Sequence, residues 1–581
     1  MKNNGLVVSI VSFALLGLAT MASAGPASQP GSVDWPQWRG PNHDGVAPSS
    51  PKLLDSWPKN GPTLLWKSDY LPSGDGGWAS CTVADGKVYV YYTGHVAKDG
   101  SPSLRPITAD LLADWGWRED VPADLVTKLE AERVSPAFKK VQARNKKAEM
   151  EDYAKTFAAG LDPKVAEKYA DVITKRLNNL EVHGAQGESG WSWGGNWSWD
   201  LLTTIAKYKD KEFKSCRDVT IFFGKFGYQN QFYQALAAFG DATVRVMKYT
   251  DTIVCLDAET GKELWRKSFD GTYPLTGYAG GFGGAGTPAA ANGKVYVSGL
   301  FGVYCLSTSD GAVVWQKPLK SYTYTSPLVV DGKVICCVEG PLAALDAETG
   351  KLLWRQPKCW GNSSPVLWTH DGKTHIIFGE GNACQTGGTC CIDPANGNVM
   401  WSCLAENSGC TPVVSGDDLV LKGNQKMRVY KMTPEKAELV WEKPRAGGGY
   451  LGSAVVYQGC IYDSLYGGGG HCLDLKTGEI QWTAKEGFGL CYSSPCVVDG
   501  KVIAYPQRLF DDFGSIVMFR PTPEKFEMLG KFKPKFEPIM AAGDLGHILD
   551  LSYITSPTVA NGRLYVRMAD YVGCYDLRAG K

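Results

Sequence analysis

The sequence predicts an all-β fold: an eight-bladed β-propeller closed by pairing of its two ends, with a largely helical insertion in the first blade. Three observations predict it. An apolar run followed by Asp-Ala-x-Thr-Gly-Lys-x-x-Trp recurs, reading Leu256 to Trp265 and again Leu345 to Trp354, with looser copies ending at Trp315, Trp401, Trp441 and Trp482. The steps between these tryptophans are 50, 39, 47, 40 and 41 residues, the length of one four-stranded blade. A second phrase resembling Ser-Pro-x-Val-x-x-Gly-x-Val-Tyr precedes each copy, so every unit holds two hairpins joined by Asp-Gly, Asn-Gly or Thr-Gly turns.

In chain order, residues 1–24 read as a secretory signal peptide. Lys2 supplies the positive start, Leu6 to Met21 the apolar run, and Ala22-Ser23-Ala24 the small-residue cleavage pattern. No cysteine precedes Cys81, so a lipid-bearing N-terminal cysteine is not expected, and the mature chain is expected to be periplasmic or extracellular with no transmembrane segment. Residues 25–61 read as an N-terminal extension, and the propeller occupies 62–581. Leu64-Leu65-Trp66 stands without the rest of a repeat, while the last repeat stops at Cys574-Tyr575-Asp576-Leu577. Pairing these two fragments completes the eighth blade and removes an open sheet edge at the seam.

Blade starts fall near Ser80, Thr287, Ser326, Ser364, Thr411, Ser453, Ser494 and Ser556. Within blade 1, residues 95–250 interrupt the repeat between its second and third strands. Asp162 with Pro163 behind it forms a helix start, and Leu161, Val165, Tyr169, Ile173 and Leu177 follow at four-residue steps; Ser135-Pro136 opens another helix. This insertion is expected to cap one mouth of the ring.

The docking phrase resembles the tryptophan-docking motif of pyrroloquinoline-quinone-like (quinoprotein-type) repeat propellers, a family that includes calcium- and quinone-dependent alcohol dehydrogenases and the outer-membrane protein assembly propeller BamB. The opening Asp34-Trp35-Pro36-Gln37-Trp38-Arg39-Gly40-Pro41 resembles the entry segment of many exported members. The resemblance is specific for fold, since the tryptophan lies between blades; burying an indole there is worth roughly 4–6 kcal/mol before entropy.

Function must come from the rim. The blade connections carry Trp78, Tyr278, Phe282, Tyr322, Tyr324, Trp360, Tyr450, Phe488, Tyr492 and Tyr553. Together they would form an aromatic funnel for a flat or sugar-like ligand, or pack against the insertion. Trp191 and Trp193, with Trp197 and Trp199, share one face if extended, as a stacking platform or an anchor. The resemblance implies a rival activity, oxidation of an alcohol or sugar with pyrroloquinoline quinone and calcium. For that, Glu380, Asn382, Asp511 and Asp512 are the available oxygen ligands and Arg508 the partner for a quinone carboxylate. Some dehydrogenases of this kind also carry a vicinal disulfide, for which Cys336-Cys337 and Cys390-Cys391 are the candidates; strand alternation would send each pair to opposite faces.

Other chemistries are not supported. Lys+Arg and Asp+Glu are both 60, which removes the electrostatic case for nucleic acid. The 17 cysteines contain no C-x-x-C, hence neither a zinc ribbon nor a haem-attachment motif. Cys255, Cys305, Cys391, Cys472 and Cys574 share one repeat position and read as small core residues. Gly190 to Gly194 matches G-x-S-x-G and Gly281 to Gly286 matches G-x-G-x-x-G, but neither has the strand, turn and helix its chemistry requires. The expectation is a non-catalytic exported scaffold, without cofactor, that binds a protein, glycan or small ligand on its capped face.

Overall fold

A computed structural model of the chain describes residues 34–69, 71, 79–97, 107–142, 147–177, 198–211, 222, 247–271, 286–318, 325–338, 340–361, 363–379, 388–406, 409–423, 425–445, 452–465, 469–484, 493–505, 515–534, 555–568 and 571–580. Its strands form eight four-stranded antiparallel sheets. Seven take four consecutive strands, as in blade 2: Ala289–Ala291, Lys294–Ser298, Gly302–Ser307 and Val313–Pro318. The eighth joins Thr558–Ala560, Arg563–Arg567 and Val572–Asp576 to Thr63–Lys67 from the other end of the chain, with Leu64 opposite Tyr575 and Trp66 opposite Cys574. The two-ended closure read from Leu64-Leu65-Trp66 is what the ring uses.

The docking phrase folds as its chemistry dictates. The Asp257 carboxylate accepts from the N–H groups of Glu259 and Thr260 and from the Thr260 hydroxyl, which winds the turn and holds the acid below the usual carboxylate range. Asp346 and Asp474 repeat the arrangement. Gly261 then takes φ +72°, and a Cβ there would lie 2.3 Å from the ring of Trp66 in the preceding blade. Glycine is required twice over, for the turn and for the indole that lies on it. A bulge in each outer strand places the tryptophan opposite a small residue, as in Cys255–Trp265 and Cys305–Trp315. The indole Nε1–H donates to a carbonyl of the next blade, from Trp66 to Ala258 (3.0 Å) round to Trp482 and Thr522 (2.7 Å).

Blade 7 breaks this rule. Gly530 stands opposite Met518, where the other outer strands carry tryptophan. Trp57, from the N-terminal extension, fills the gap: its backbone N–H donates to Leu529 O, its ring meets Phe532 edge-on at 5.2 Å, and a Cβ on Gly530 would lie 2.6 Å from its own Cβ. It is buried with Tyr575 and Leu577 of blade 8. The eighth docking tryptophan therefore arrives from outside the repeats.

The insertion is reached along a two-stranded ribbon in which Lys87–Ala97 and Met247–Asp257 stay paired to Ala97–Met247. Beyond it the described residues hold seven helices. Asp162 caps Pro163–Lys168 through the N–H groups of Lys164 and Val165, and Ser135 receives the N–H of Phe138 at the start of Pro136–Gln142. The four-residue apolar series is divided at Tyr169 between two short helices, Pro163–Lys168 and Ala170–Leu177, yet still lies on one core. That core, Leu125, Leu129, Phe138, Ala154, Tyr169, Val172, Ile173 and Leu177, is the unit's own. Glu130 ties it together by pairing with Arg133 and the buried Arg176; these cations hold the carboxylate low against the opposing effect of burial.

Candidate functional site

The centre of the ring is built by the first residue of every blade. A Ser or Thr stands two residues ahead of each inner strand, and in seven blades its backbone N–H donates to the hydroxyl of the next blade's counterpart. The bonds run Ser80 to Thr287, Thr287 to Ser326, Ser326 to Ser364 and Ser364 to Thr411, then Ser453 to Ser494, Ser494 to Ser556 and Ser556 back to Ser80, at 2.8–3.3 Å. Between blades 5 and 6 the Ser453 hydroxyl instead donates to Thr411 O at 2.9 Å. The result is a closed belt of eight hydroxyls round the axis. It gives physical sense to the Ser-Pro phrase: proline next in sequence offers no N–H that would compete for the acceptor.

The N-terminal extension enters this channel from the face that carries the Asp-Gly turns. Asp34 accepts from Asp85 N and Asn561 Nδ2 at that face. Trp35 pairs with Val83 of blade 1, and Pro36 O receives Ala290 N of blade 2. At the level of the belt Trp38 Nε1 donates to Thr411 Oγ1 at 3.2 Å. The chain then reverses, with positive φ at Arg39, Gly40, His43 and Gly45, and runs back along Val497 of blade 7. It leaves at Leu53, whose N–H meets Asp499. Residues 34–53 are thus a plug that closes the channel from one side.

Its polar side chains are deeply buried. Arg39 is 3 % exposed and donates from Nε to His43 O and from Nη2 to Asp44 O and Ala454 O. Burial lowers its pKa to about 10, still cationic at neutral pH. His43 is pushed down to about 3 by burial and stays neutral, with the Arg39 charge acting in the same direction. Beside the plug a small space, open on one side, is lined by Trp35, Trp38 and Arg39 and by the belt residues Ser80, Thr287, Ser494 and Ser556.

Two further buried polar groups lie at the opposite, connection-bearing end of the strands. Asp251 accepts from the hydroxyls of Tyr91 (2.7 Å) and Tyr304 (2.8 Å) and from the N–H groups of Leu300 and Phe301; burial raises its pKa. It clamps the base of the inserted ribbon to blade 2. Asp463 sits between Lys422 (3.0 Å) and Arg445 (2.8 Å), all nearly inaccessible, and the two cations outweigh the burial that would raise its pKa. The tyrosine hydroxyls, backbone N–H groups and cations of these sets are engaged with groups of the ring itself.

Of the residues singled out from the sequence, Trp78, Tyr278, Phe282, Tyr322, Tyr324, Tyr450, Phe488, Tyr492, Tyr553, Trp191 and Trp193 lie outside the described residues, as do Glu380, Asn382, Arg508, Asp511 and Asp512. Trp360 ends the outer strand of blade 3, its backbone opposite Pro341. Cys336 faces the core between blades 2 and 3 and Cys337 that between 3 and 4; Cys390 and Cys391 likewise divide between two cores. Among the described residues no three His, Cys, Asp or Glu side chains come together as a metal set. The plug and the belt escaped the sequence reading. The signal for the belt was a Ser or Thr at each blade start, before proline in six of the eight; the plug was marked by the Asp34–Pro41 entry segment and by an aromatic, Gly- and Pro-rich stretch without period.

Comparison with known proteins adds the following. A family model described as outer membrane protein assembly factor BamB matches residues 187–276 and 251–484, together just over half of the chain. The polyvinylalcohol dehydrogenase of Sphingopyxis sp. (strain 113P3) is 24% identical over 307 residues, covering 40% of this chain and 42% of that protein. The BamB of Moranella endobia (strain PCIT) is 25% identical over 250 residues, covering 40% and 53%. The quinohemoprotein alcohol dehydrogenase ADH IIB of Pseudomonas putida is 33% identical over 137 residues, covering 21% and 20%. The chain thus spans about half or less of the length of these relatives. Among solved structures, BamB from Moraxella catarrhalis has 17% identity and a TM-score of 0.34, covering 57% of this chain and 80% of that one.

Proposed function

The chain belongs to the family described as outer membrane protein assembly factor BamB, and from that premise we propose that it is an exported, non-catalytic scaffold that binds proteins at the cell envelope. The observation that carries this reading over an oxidising enzyme is the disposition of the cysteine pairs. Cys336 and Cys337, which end a strand, and Cys390 and Cys391, which lie within one, each send their side chains into different inter-blade cores, so neither pair can close a vicinal disulfide without turning the chain over there. The channel is also occupied from the turn face by the chain's own residues, which leaves the connection-bearing face for recognition. In this reading the aromatic residues of the blade connections, Tyr322, Tyr324, Tyr450 and Tyr492 among them, contribute to recognition, and the inserted ribbon leaves blade 1 on the connection-bearing side. Among the described residues no helix is long and apolar enough to cross a membrane. Residues 1–24 supply the export signal in this reading.

Likeness to polyvinylalcohol dehydrogenase and ADH IIB supports a second reading, a quinone- and calcium-dependent alcohol or sugar dehydrogenase. There Glu380, Asn382, Asp511 and Asp512 would hold the cation and Arg508 would meet the quinone, which supplies a two-electron oxidant. The cysteine arrangement does not fit the vicinal-disulfide form of such a site.

Photoreactive residues placed at Tyr322 and Tyr450 in growing cells separate the readings. A scaffold of this family gives discrete adducts whose masses identify outer-membrane proteins or their assembly machinery. Adducts to a c-type cytochrome, or none from either position, would overturn the scaffold reading.

A further inference from the structure

The plug carries a guanidinium to the axis of the ring and leaves part of it unused. Arg39 is 3 % exposed, and its Nε and Nη2 are taken by the carbonyls of His43, Asp44 and Ala454. Its Nη1 has no hydrogen-bond partner among the described residues. Asp44, the carboxylate that acts on it through space, gives Oδ1 to the N–H of Val46, and Arg39 reaches only its backbone oxygen. A buried cationic donor without an acceptor is costly, and native proteins fill such positions.

The space beside Arg39 supplies the rest of a site. It is lined by Arg39 and by the hydroxyls of Ser80, Thr287, Ser494 and Ser556. Each of those oxygens already accepts the neighbouring blade's N–H, so its lone pairs are partly spent and its proton is left to donate. The thiols of Cys81 and Cys496, also in the lining, are pushed up to about 12 by burial and add no negative charge. The set is one of donors, with a single fixed positive charge, arranged beside the belt.

We propose that this axial space is an anion site, in which Arg39 Nη1 and the hydroxyls of the belt hold one small monovalent anionic group. The chemistry admits two sources, a free halide or the carboxylate of an organic acid, and both would bind as acceptors of the same donors. The site depends on the plug: without residues 34–53 the belt has hydroxyls but no charge. The proposal is independent of whether the rim binds proteins or oxidises alcohols.

Crystals of the intact protein soaked in bromide should show an anomalous peak within hydrogen-bond distance of Arg39 Nη1. In parallel, melting is followed while chloride, bromide or formate replaces a bulky anion at constant ionic strength, which removes general screening. A saturable rise of about 1–3 °C is expected. A rise with the halides assigns the site to an inorganic ion, and a rise with formate alone assigns it to an organic acid. Arg39→Gln should abolish the rise. A melting curve indifferent to all three anions together with no bromide peak, or a rise undiminished in Arg39→Gln, would show that the space holds water only and overturn the proposal. The soak needs no variant, so the test stands even where Arg39→Gln does not fold.

Discussion

At the scale of single residues, the ring's seams are set by aromatic side chains on glycine. Trp57 lies where blade 7 lacks its own tryptophan, over Gly530. Trp57→Ala should therefore cost about 3–5 kcal/mol in denaturant unfolding, the range for a buried tryptophan. Gly530→Trp alone should also destabilise, because its Cβ would enter the space of Trp57. The double variant should lose less than the sum of the two, a non-additivity that a merely adjacent residue would not give. Additive losses would show that Trp57 does not stand in for the missing docking residue. His43 gives a second test. Its folded-state pKa is lowered to about 3 by burial, while the unfolded value is near 6.5. The unfolded chain therefore binds more protons across that window, so the stability contribution is whole above pH ~6.5 and is lost as pH falls toward 3. Replacing it, as in His43→Gln, should flatten the acid limb of the stability curve by up to about one proton, read from melting across that range.

At the scale of elements, what was legible follows from what is local. The Asp-x-x-Thr-Gly turn, the tryptophan after it and the Asp162-Pro163 helix start are each decided by atoms a few residues apart, and each lies where its pattern placed it. The belt joins Ser80 to Ser556 across 476 residues, and the plug touches six blades; pairings at such distance leave no period along the chain. Tyr169 divides the helix that a four-residue spacing read as continuous, because residues on one apolar stripe can share a core across a break. Since that core is self-contained, replacing residues 98–246 with a short Gly-Ser linker should leave a soluble ring with its β-type circular dichroism intact. Aggregation of the shortened protein would show that the insertion completes the propeller's core. At the other end, deletion of residues 60–70 removes both Trp66 and the fourth strand of blade 8. It should abolish cooperative unfolding, and an unchanged melting curve would contradict the closure.

At the scale of the whole molecule, one end of the chain closes the ring in three places. The N-terminal segment fills the axis, replaces a missing tryptophan and completes the last sheet, so the ring is closed on its turn face. We propose that the connection-bearing face recognises partners and does not oxidise substrate. A quinone site would need an aromatic floor, a cation and oxygen ligands together. Calorimetric titration of pyrroloquinoline quinone with calcium into the purified protein, followed by dye-linked assay with alcohols and sugars, tests this directly. The account predicts neither stoichiometric binding nor turnover. Binding at one quinone per chain with dye reduction, both abolished by Asp511→Ala or Asp512→Ala, would contradict it and establish the enzyme.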